Sequence, residues 1–547
     1  MRISNVRPAI GRHSELQLFI ARSGLLSARI NRNGRLLHLH SAIKPESEAD
    51  HFSGIEFWGD LIVFLGIGLG YHIAPYLKDI PARAKILLVD YYPRCIDHCR
   101  EKCFLGFTHD ITTLSCETPA RDRIAREYSI DARYIQVIKH PASYHANREF
   151  YESVMDAIRF KRIRASEAET AMLFSGSFFV EQEIQNALSA AGSGPALFCY
   201  NSMDHVLQYE SRLSNAIQKH RPRYILSVNM KGFDANGIVC DVSRRMGVPV
   251  IIWFVDDPHP IMLSQHRFIG SHMHALSWER SYLPWLSRKG FGGAHYLPLA
   301  GDPALATRGK STGTIAELGF VGSSMGRTFL DDLASRFLWD PALEPLVQDV
   351  AERLLKDRTK PLPELISETC ASLGSGAPFS DECNSTWFSS YIIHTASMLR
   401  RKMLVGACIP HGIMTFGDPA GWKDLLGDGF PTHPDIDYHT GISAIYSSIA
   451  VNLNITSCQM QSAVNQRVFD IPLCNGFVLN DGQQDLHELF APDEIAMYSS
   501  REDLLEKMAF FRQHPVERAR ISGKARTAIL NNHTYIHRLA TIEKILK

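Results

Sequence analysis

Three short stretches hold most of the side chains that could do chemistry. The run Trp253-Phe254-Val255-Asp256-Asp257-Pro258-His259 sets two carboxylates and an imidazole directly after an apolar strand. At a strand's carboxyl end such groups can orient a hydroxyl or take its proton, although Asp-Asp-Pro can also be no more than a helix-capping turn. The two carboxylates are adjacent and neighbouring strand side chains point apart, so joint ligation of a divalent ion is less natural. Asn229, Lys231 and Asp234 end the preceding strand and are expected to line the same cleft. The second stretch, VNLNITSCQMQSAVNQRVFDIPLCNGFVLND from Val451 to Asp481, reads as strand, polar loop, a short helix over Val464 to Asp470 stopped near Pro472, and a strand closed by Asn480-Asp481. Asn454, Asn465, Arg467 and Asp470 fall at the edge where loop amides and helix N-termini can meet phosphates. In the third, IAELGFVGSSMGRTF, the small residues from Gly322 and Ser323 to Gly326 leave backbone N–H groups accessible. Arg327, at the helix start, could offset diphosphate charge. A simple tight turn is the competing reading of that loop.

A fourth motif lies nearer the N-terminus. LIVFLGIGLGYHIAPYL gives a strand, a turn with Gly66, Gly68 and Gly70, and a helix, and KILLVD then gives a strand ending at Asp90. Glycines permit close backbone approach to a ligand, and an acidic residue about twenty positions on can bind ribose hydroxyls. This segment resembles the first motif of Rossmann-type methyltransferases and the N-terminal portion of some motility-associated glycosyltransferases. It is a possible second nucleotide site or a structural turn. Cys95, Cys99 and Cys103 recur every fourth residue, which reads as a packed helix face because metal ligands must converge.

These motifs need a frame, and the chain is long enough to supply several. At 547 residues two to four domains are expected. Lys+Arg and Asp+Glu are both 58, so no global charge favours nucleic acid or an anionic membrane. No apolar run approaches a bilayer's thickness and MRISNVRPAIGRHSE lacks a signal peptide's apolar core, so no transmembrane segment and a cytoplasmic location are expected. The 11 cysteines sit mostly among apolar neighbours, as buried reduced thiols do.

Strands separated by helical spacers predict an α/β protein with mostly parallel sheets. Residues 1-160 read as a β-rich cap plus a Rossmann-like domain, 165-300 as a second α/β domain, and 315-547 as a third. Pro298 to Thr314 is the linker between the last two. Glu149 to Arg164 reads as a solvated connecting helix, and AMLFSGSFFVEQEIQ as strand, Gly/Ser loop at Gly176 and helix. Asp340 to Ala371 reads as largely helical and is expected on the sheet's outside. A further helix is expected over Leu399 to Val405. Trp422 could stack on a base or fill the core, and His433 and Asp437 are expected to border the cleft.

The run LNIT, NQRVFD, CNGFVLND, followed by LHELFAPDEIAMYSSREDLLEKMAFFRQHP and NNHTYIHR, resembles the C-terminal domain of the CgeB-like (spore maturation protein-like) glycosyltransferases. WFVDDP resembles a segment of their N-terminal domain. The resemblance implies the GT-B architecture of two facing Rossmann-like domains, here with an additional N-terminal α/β domain. It implies transfer of a sugar from a nucleoside diphosphate sugar to an acceptor, protein, glycan or small molecule, without metal or other cofactor. Gly322, Ser323, Arg327, Asn454, Asn465, Arg467, Asp470 and Gly476 would bind the donor, with Asp470 near ribose, and Asp256, Asp257 or His259 would act at the acceptor hydroxyl. The family's usual Glu is Asp470 here, one methylene shorter. The alternatives are a nucleotide-sugar-binding or scaffolding protein without turnover, and an S-adenosylmethionine-dependent methyltransferase working through residues 61-90.

Overall fold

The structure is a computed structural model, and it describes residues 15–32, 35–53, 55–132, 134–160, 170–176, 180–192, 194–200, 206–263, 268–308 and 313–547. The chain divides into two compact units. One is built from Met1–Glu169, Tyr200–Arg223 and Asp241–Val248, the other from Thr170–Cys199, Tyr224–Cys240 and Pro249–Lys547.

In the first unit β1 (Glu15–Ile20), β2 (Leu26–Arg32) and β3 (Arg35–His38) form an antiparallel sheet. The strands β4 (Leu61–Leu65), β5 (Lys85–Val89), β6 (Ile111–Leu114) and β7 (Ile135–Lys139) form a parallel sheet in the order β6-β5-β4-β7. All five residues of β4 are buried, as a continuous apolar run requires when helices cover both faces of a parallel sheet. The cysteine stripe packs as expected: Cys95 and Cys99 are buried thiols on the helix Pro93–Lys102. The predicted connecting helix is Arg148–Ala157, and its basic end, Lys161 to Arg164, lies outside the described residues.

The second unit contains two six-stranded parallel sheets. The strands β8 (Met172–Ser175), β9 (Ala196–Cys199), β10 (Ile225–Val228), β11 (Val250–Phe254), β12 (Met273–Ser277) and β13 (Gly293–Tyr296) run in the order β13-β12-β11-β10-β8-β9. The strands β14 (Ala316–Val321), β15 (Met414–Phe416), β16 (Thr432–His433), β17 (Ile449–Asn454), β18 (Val478–Asp481) and β19 (Ala496–Tyr498) run in the order β16-β15-β14-β17-β18-β19. Each sheet reverses its winding once, between β8 and β10 in the first and between β14 and β17 in the second. In open α/β sheets the crevice at the carboxyl ends beside such a reversal is where ligands lie. The C-terminal helix Tyr535–Ile545 crosses back to pack on the helix Glu181–Ala190 of the first sheet. Two Rossmann-like sheets tied by a returning terminal helix are the GT-B arrangement.

The segment between β14 and β15 departs from expectation. It forms the helices Glu344–Lys356, Leu362–Ser372 and Glu382–Cys408, the last of 27 residues and started by Asp381, whose carboxylate accepts from the Asn384 N–H. They share a core of their own around Val347, Val350, Leu365, Phe388 and Ile392. They do not merely cover the sheet's outside: the long helix also packs on the short helix Pro258–Met262 that follows β11. Apolar periodicity marks which face of a helix is buried and says nothing of what it is buried against. Among the described residues no helix is long and apolar enough to cross a membrane.

Candidate functional site

The carboxyl end of β11 delivers Asp256, Asp257 and His259 as its alternation dictates. Asp257 caps the helix Pro258–Met262, its Oδ1 accepting from the His259 N–H at 2.9 Å, and the same oxygen lies 2.7 Å from His259 Nδ1. The expected capping turn is present, and the same turn sets the imidazole against the carboxylate. A carboxylate can only accept, so the ring proton sits on Nδ1 and the Nε2 lone pair is left open. Trp285 packs against the imidazole with ring centroids 4.1 Å apart, and burial lowers the pKa of His394 on the long helix, opposed by its bond to Ser390 O and by the nearby Asp257 charge.

Asp256 points the other way. Its Oδ2 accepts from Asn229 Nδ2 at 2.7 Å, and Asn229 Oδ1 accepts from the Val255 N–H at 2.9 Å. Asn229 and Met230 both adopt left-handed backbone, with φ of 49° and 55°, directly at the sheet's reversal. Conformations that cost a side-chain-bearing residue free energy gather at functional sites. The Asp256 carboxylate faces solvent within the cleft, yet the surrounding protein pushes its pKa up to about 6, against the Asn229 amide, which stabilises the charged form. Lys231 is also near enough to favour that charge. Asp234 instead caps its own turn, accepting from the Asn236 N–H.

At the second sheet's reversal the loop after β14 is pinned from below. Trp422, fully buried, donates its indole N–H to Gly322 O at 3.0 Å, so it fills the core and does not stack on a base. Asp418 holds the Ser324 hydroxyl and backbone N–H. Over this loop lie two guanidinium groups. Arg467 donates from Nε to Val321 O at 2.7 Å, and Arg401 donates from Nη1 to Ser323 O at 2.6 Å. Both rest against Phe320, at 5.3 and 5.7 Å from its ring centre. Neither makes an ion pair among the described residues. Burial, with Arg467 beside it, brings the Arg401 pKa down to about 9. Two close guanidiniums without an ion-pair partner are suited to an anion, while the loop's own N–H groups at Gly322, Ser324, Met325 and Gly326 are bonded to Phe416 O, Asp418 and the Ser323 and Ser324 hydroxyls. Arg401 is absent from the sequence reading, because Leu399-Arg400-Arg401-Lys402 looks like a solvated basic run. The usable signal is its spacing from Ser397, Leu404, Val405 and Cys408, all on the buried stripe.

The remaining expected donor residues divide. Gly322 and Ser323 sit in the loop itself, and a β-carbon on Gly322 would lie 2.4 Å from Arg467 Nη2. Asn454 and Asn465 are buried and bonded to each other, at 3.0 and 2.8 Å, and Asn454 Oδ1 accepts from Arg467 at 3.4 Å, so they position the guanidinium. Arg327 opens its helix and is exposed.

Asp470 and Gly476 do not stand where a donor contact needs them. Asp470 is 1% exposed, and its oxygens accept from Tyr438 Oη at 2.9 Å and Gln466 Nε2 at 2.8 Å. Burial pushes its pKa up to about 8, with Glu183 and Asp302 adding repulsion. Gln466 also donates to Ala300 O and accepts from Tyr535 Oη, so Asp470 belongs to a buried network joining the two halves of the second unit. Gly476 precedes β18 and so lies at the amino end of the strand, the edge opposite the ligand edge, where its would-be β-carbon meets Tyr446 O at 2.6 Å. Asp437 caps its own turn and His433 stacks on Phe416.

A further junction is invisible in the sequence. Glu279, at the end of β12, accepts with Oε2 from the backbone N–H groups of Gln461, Ser462 and Ala463 at 2.8, 2.9 and 2.9 Å. One buried carboxylate thereby ties the first sheet to the loop after β17.

The glycine motif of the first unit has its crevice filled. Asp90 accepts from the N–H groups of Gly68 and Tyr92 at 2.8 and 2.9 Å, fully buried. β-carbons at Gly66, Gly68 and Gly70 would meet Ser143, His40 and Cys103 side chains at 2.4 to 2.7 Å. His40, Glu48 and His140 are the one group of possible metal ligands among the described residues. The Leu69 N–H, however, donates to His40 Nε2 at 2.7 Å, which places the other ring proton on Nδ1, toward Glu48 Oε2 at 2.7 Å. The set is held by hydrogen bonds, and a cation at Nδ1 would need that proton moved onto Nε2, against the Leu69 N–H. His72, fully buried, stacks on His140 at 4.7 Å.

Residues 394–544 match a family model described as glycosyl transferase-like, a span that holds Arg401, Arg467 and the returning helix. Among solved structures, the chain is similar to a sucrose-phosphate synthase from Thermosynechococcus elongatus at 11% identity, over 69% of this chain and 98% of that one, with a TM-score of 0.38. It is similar to HepE from Anabaena in complex with UDP at 10% identity, over 69% and 99%, with a TM-score of 0.37. TarM aligns at 7% identity, over 91% and 100%, with a TM-score of 0.32. No curated protein matches the chain in sequence.

Proposed function

We propose that this protein is a glycosyltransferase that takes its sugar from a nucleoside diphosphate sugar. The observation that carries the reading is the pair Arg401 and Arg467, two guanidiniums without carboxylate partners beside the Gly322–Ser324 loop at the second sheet's reversal. Family-model similarity over 394–544 and the paired sheets support it. In this reading the two arginines stabilise the departing diphosphate, the role a divalent ion plays elsewhere. The acceptor hydroxyl lies on the side of the first sheet, near Asp256 and the Asp257–His259 pair. Closure of the cleft, to which the Glu279 clamp contributes, excludes water that would hydrolyse the donor.

The test is a thermal-shift and donor-hydrolysis screen of nucleoside diphosphates and their sugars, uridine diphosphate among them. At least one diphosphate is expected to raise the melting temperature, and Arg467→Ala to abolish that shift. A full panel without shift or turnover overturns the proposal.

A further inference from the structure

The three-helix segment between β14 and β15 leaves a cavity of about 480 Å³ facing the Asp257–His259 pair. That size lies within the range that encloses a small molecule. Asp257, His259 and Tyr282 line it together with Leu354, Leu362, Ile366, Phe379, Phe388 and Ile393. Leu362 and Ile366 are four residues apart on one helix, and Phe388 and Ile393 come from the long helix.

Ser281, Thr386, Gln459 and Gln461 also line the cavity, and three of its other polar groups are already engaged. Ser385 and Ser389 donate their hydroxyls back to Glu382 O and Ser385 O of their own helix. The Lys360 ammonium is held by both oxygens of Glu368 at 2.7 Å. A sugar ring seated here would set several hydroxyls against the apolar side chains of Leu354, Leu362, Ile366, Phe379, Phe388 and Ile393, and each hydroxyl left unpaired is costly. An aryl or alkyl group would gain from burial and lose little.

We propose that the acceptor is an alcohol with an apolar aryl or alkyl body, seated in this cavity with its hydroxyl at His259; the assignment of acceptor rests on the glycosyl-transfer reading above. The acceptor oxygen bonds to the donor's anomeric carbon as the bond from that carbon to the diphosphate oxygen breaks. The bonding pair leaves on the nucleoside diphosphate, and the hydroxyl proton passes to His259 Nε2.

The experiment uses the full chain and two readouts. One is displacement of the apolar dye 1-anilinonaphthalene-8-sulfonate, the other is transfer from whichever sugar donor the screen identifies. Benzyl alcohol, 2-phenylethanol and octanol are compared with glucose and maltotriose. The alcohols are expected to displace the dye, where the sugars do not, and to accept with at least tenfold higher kcat/KM. Leu362→Trp and Ile366→Trp fill the cavity and should raise the alcohols' KM at least tenfold, and a retained diphosphate thermal shift shows that the variants fold. Arg467→Ala should lose that shift yet keep dye displacement. If no donor is bound or turned over, the transfer reading falls and dye displacement alone decides the occupant. Sugars that displace the dye or accept as well as the alcohols overturn the proposal, as does an unchanged alcohol KM in both folded tryptophan variants.

Discussion

Asn229 holds a left-handed backbone, which costs a residue with a β-carbon about 1–2 kcal/mol, and its amide bridges Asp256 and the Val255 N–H. Because the amide donates to the charged carboxylate, removing it disfavours that charge and raises the Asp256 pKa above its value of about 6. If ionised Asp256 serves the reaction, Asn229→Ala moves the acid limb of the kcat/KM profile to higher pH, by roughly half a unit to one unit. An unmoved limb in an active Asn229→Ala enzyme removes Asp256 from the chemistry. Gly322 supplies a sharper steric test. Its φ of 153° and the 2.4 Å approach of Arg467 Nη2 to a would-be β-carbon leave alanine no room unless the guanidinium shifts. Gly322→Ala should weaken nucleoside diphosphate binding about tenfold or more, about 1.4 kcal/mol, measured by titration calorimetry.

The helix Arg467–Leu473 combines two roles on seven residues: Arg467 turns to the anion site and Asp470 into the buried network with Tyr438 and Gln466. Burial raises the Asp470 pKa from the ordinary carboxylate range to about 8. Between about pH 4 and 8 the folded chain therefore keeps a proton there that the unfolded chain has lost, and stability contributed by this group falls as pH rises through that window. Asp470→Asn mimics the protonated acid, so its melting temperature should fall less from pH 5 to pH 8 than the parent's. Equal slopes in both proteins mean that Asp470 is ionised. Asp470→Glu, which restores the residue usual in the resembling family, overpacks a closed site and should cost about 1–3 kcal/mol in denaturant unfolding. Strands of this kind were legible, since buried parallel strands are bare apolar runs ended by Gly, Asn or Asp, and so were Arg467 and the Asp257–His259 turn. The orientation of Asp470 was not, because sequence gives the helical face and the neighbours on both sides are apolar. Nor was Glu279, whose partners lie about 180 residues away.

At the scale of the molecule, the first unit is assembled from three separate stretches, and that decides how the chain can be divided. Lys139, at the end of β7, is mostly buried and pairs at 3.2 Å with Glu210, which also holds Arg245 at 2.8 Å. Both partners come from segments far along the chain, Tyr200–Arg223 and Asp241–Val248. A fragment ending at residue 170 keeps the glycine motif and β7 but loses the helix Val206–His220 that packs on β7, so the apolar surface beneath that helix meets water at a cost of roughly 25 cal/mol per Å². A small domain has only about 5–15 kcal/mol in all. The fragment should therefore be poorly folded, seen as low helical circular dichroism and a broad or absent thermal transition. A fragment 1–170 that melts cooperatively near the full chain's temperature shows instead that the two later stretches are accessories and the first unit is continuous in sequence.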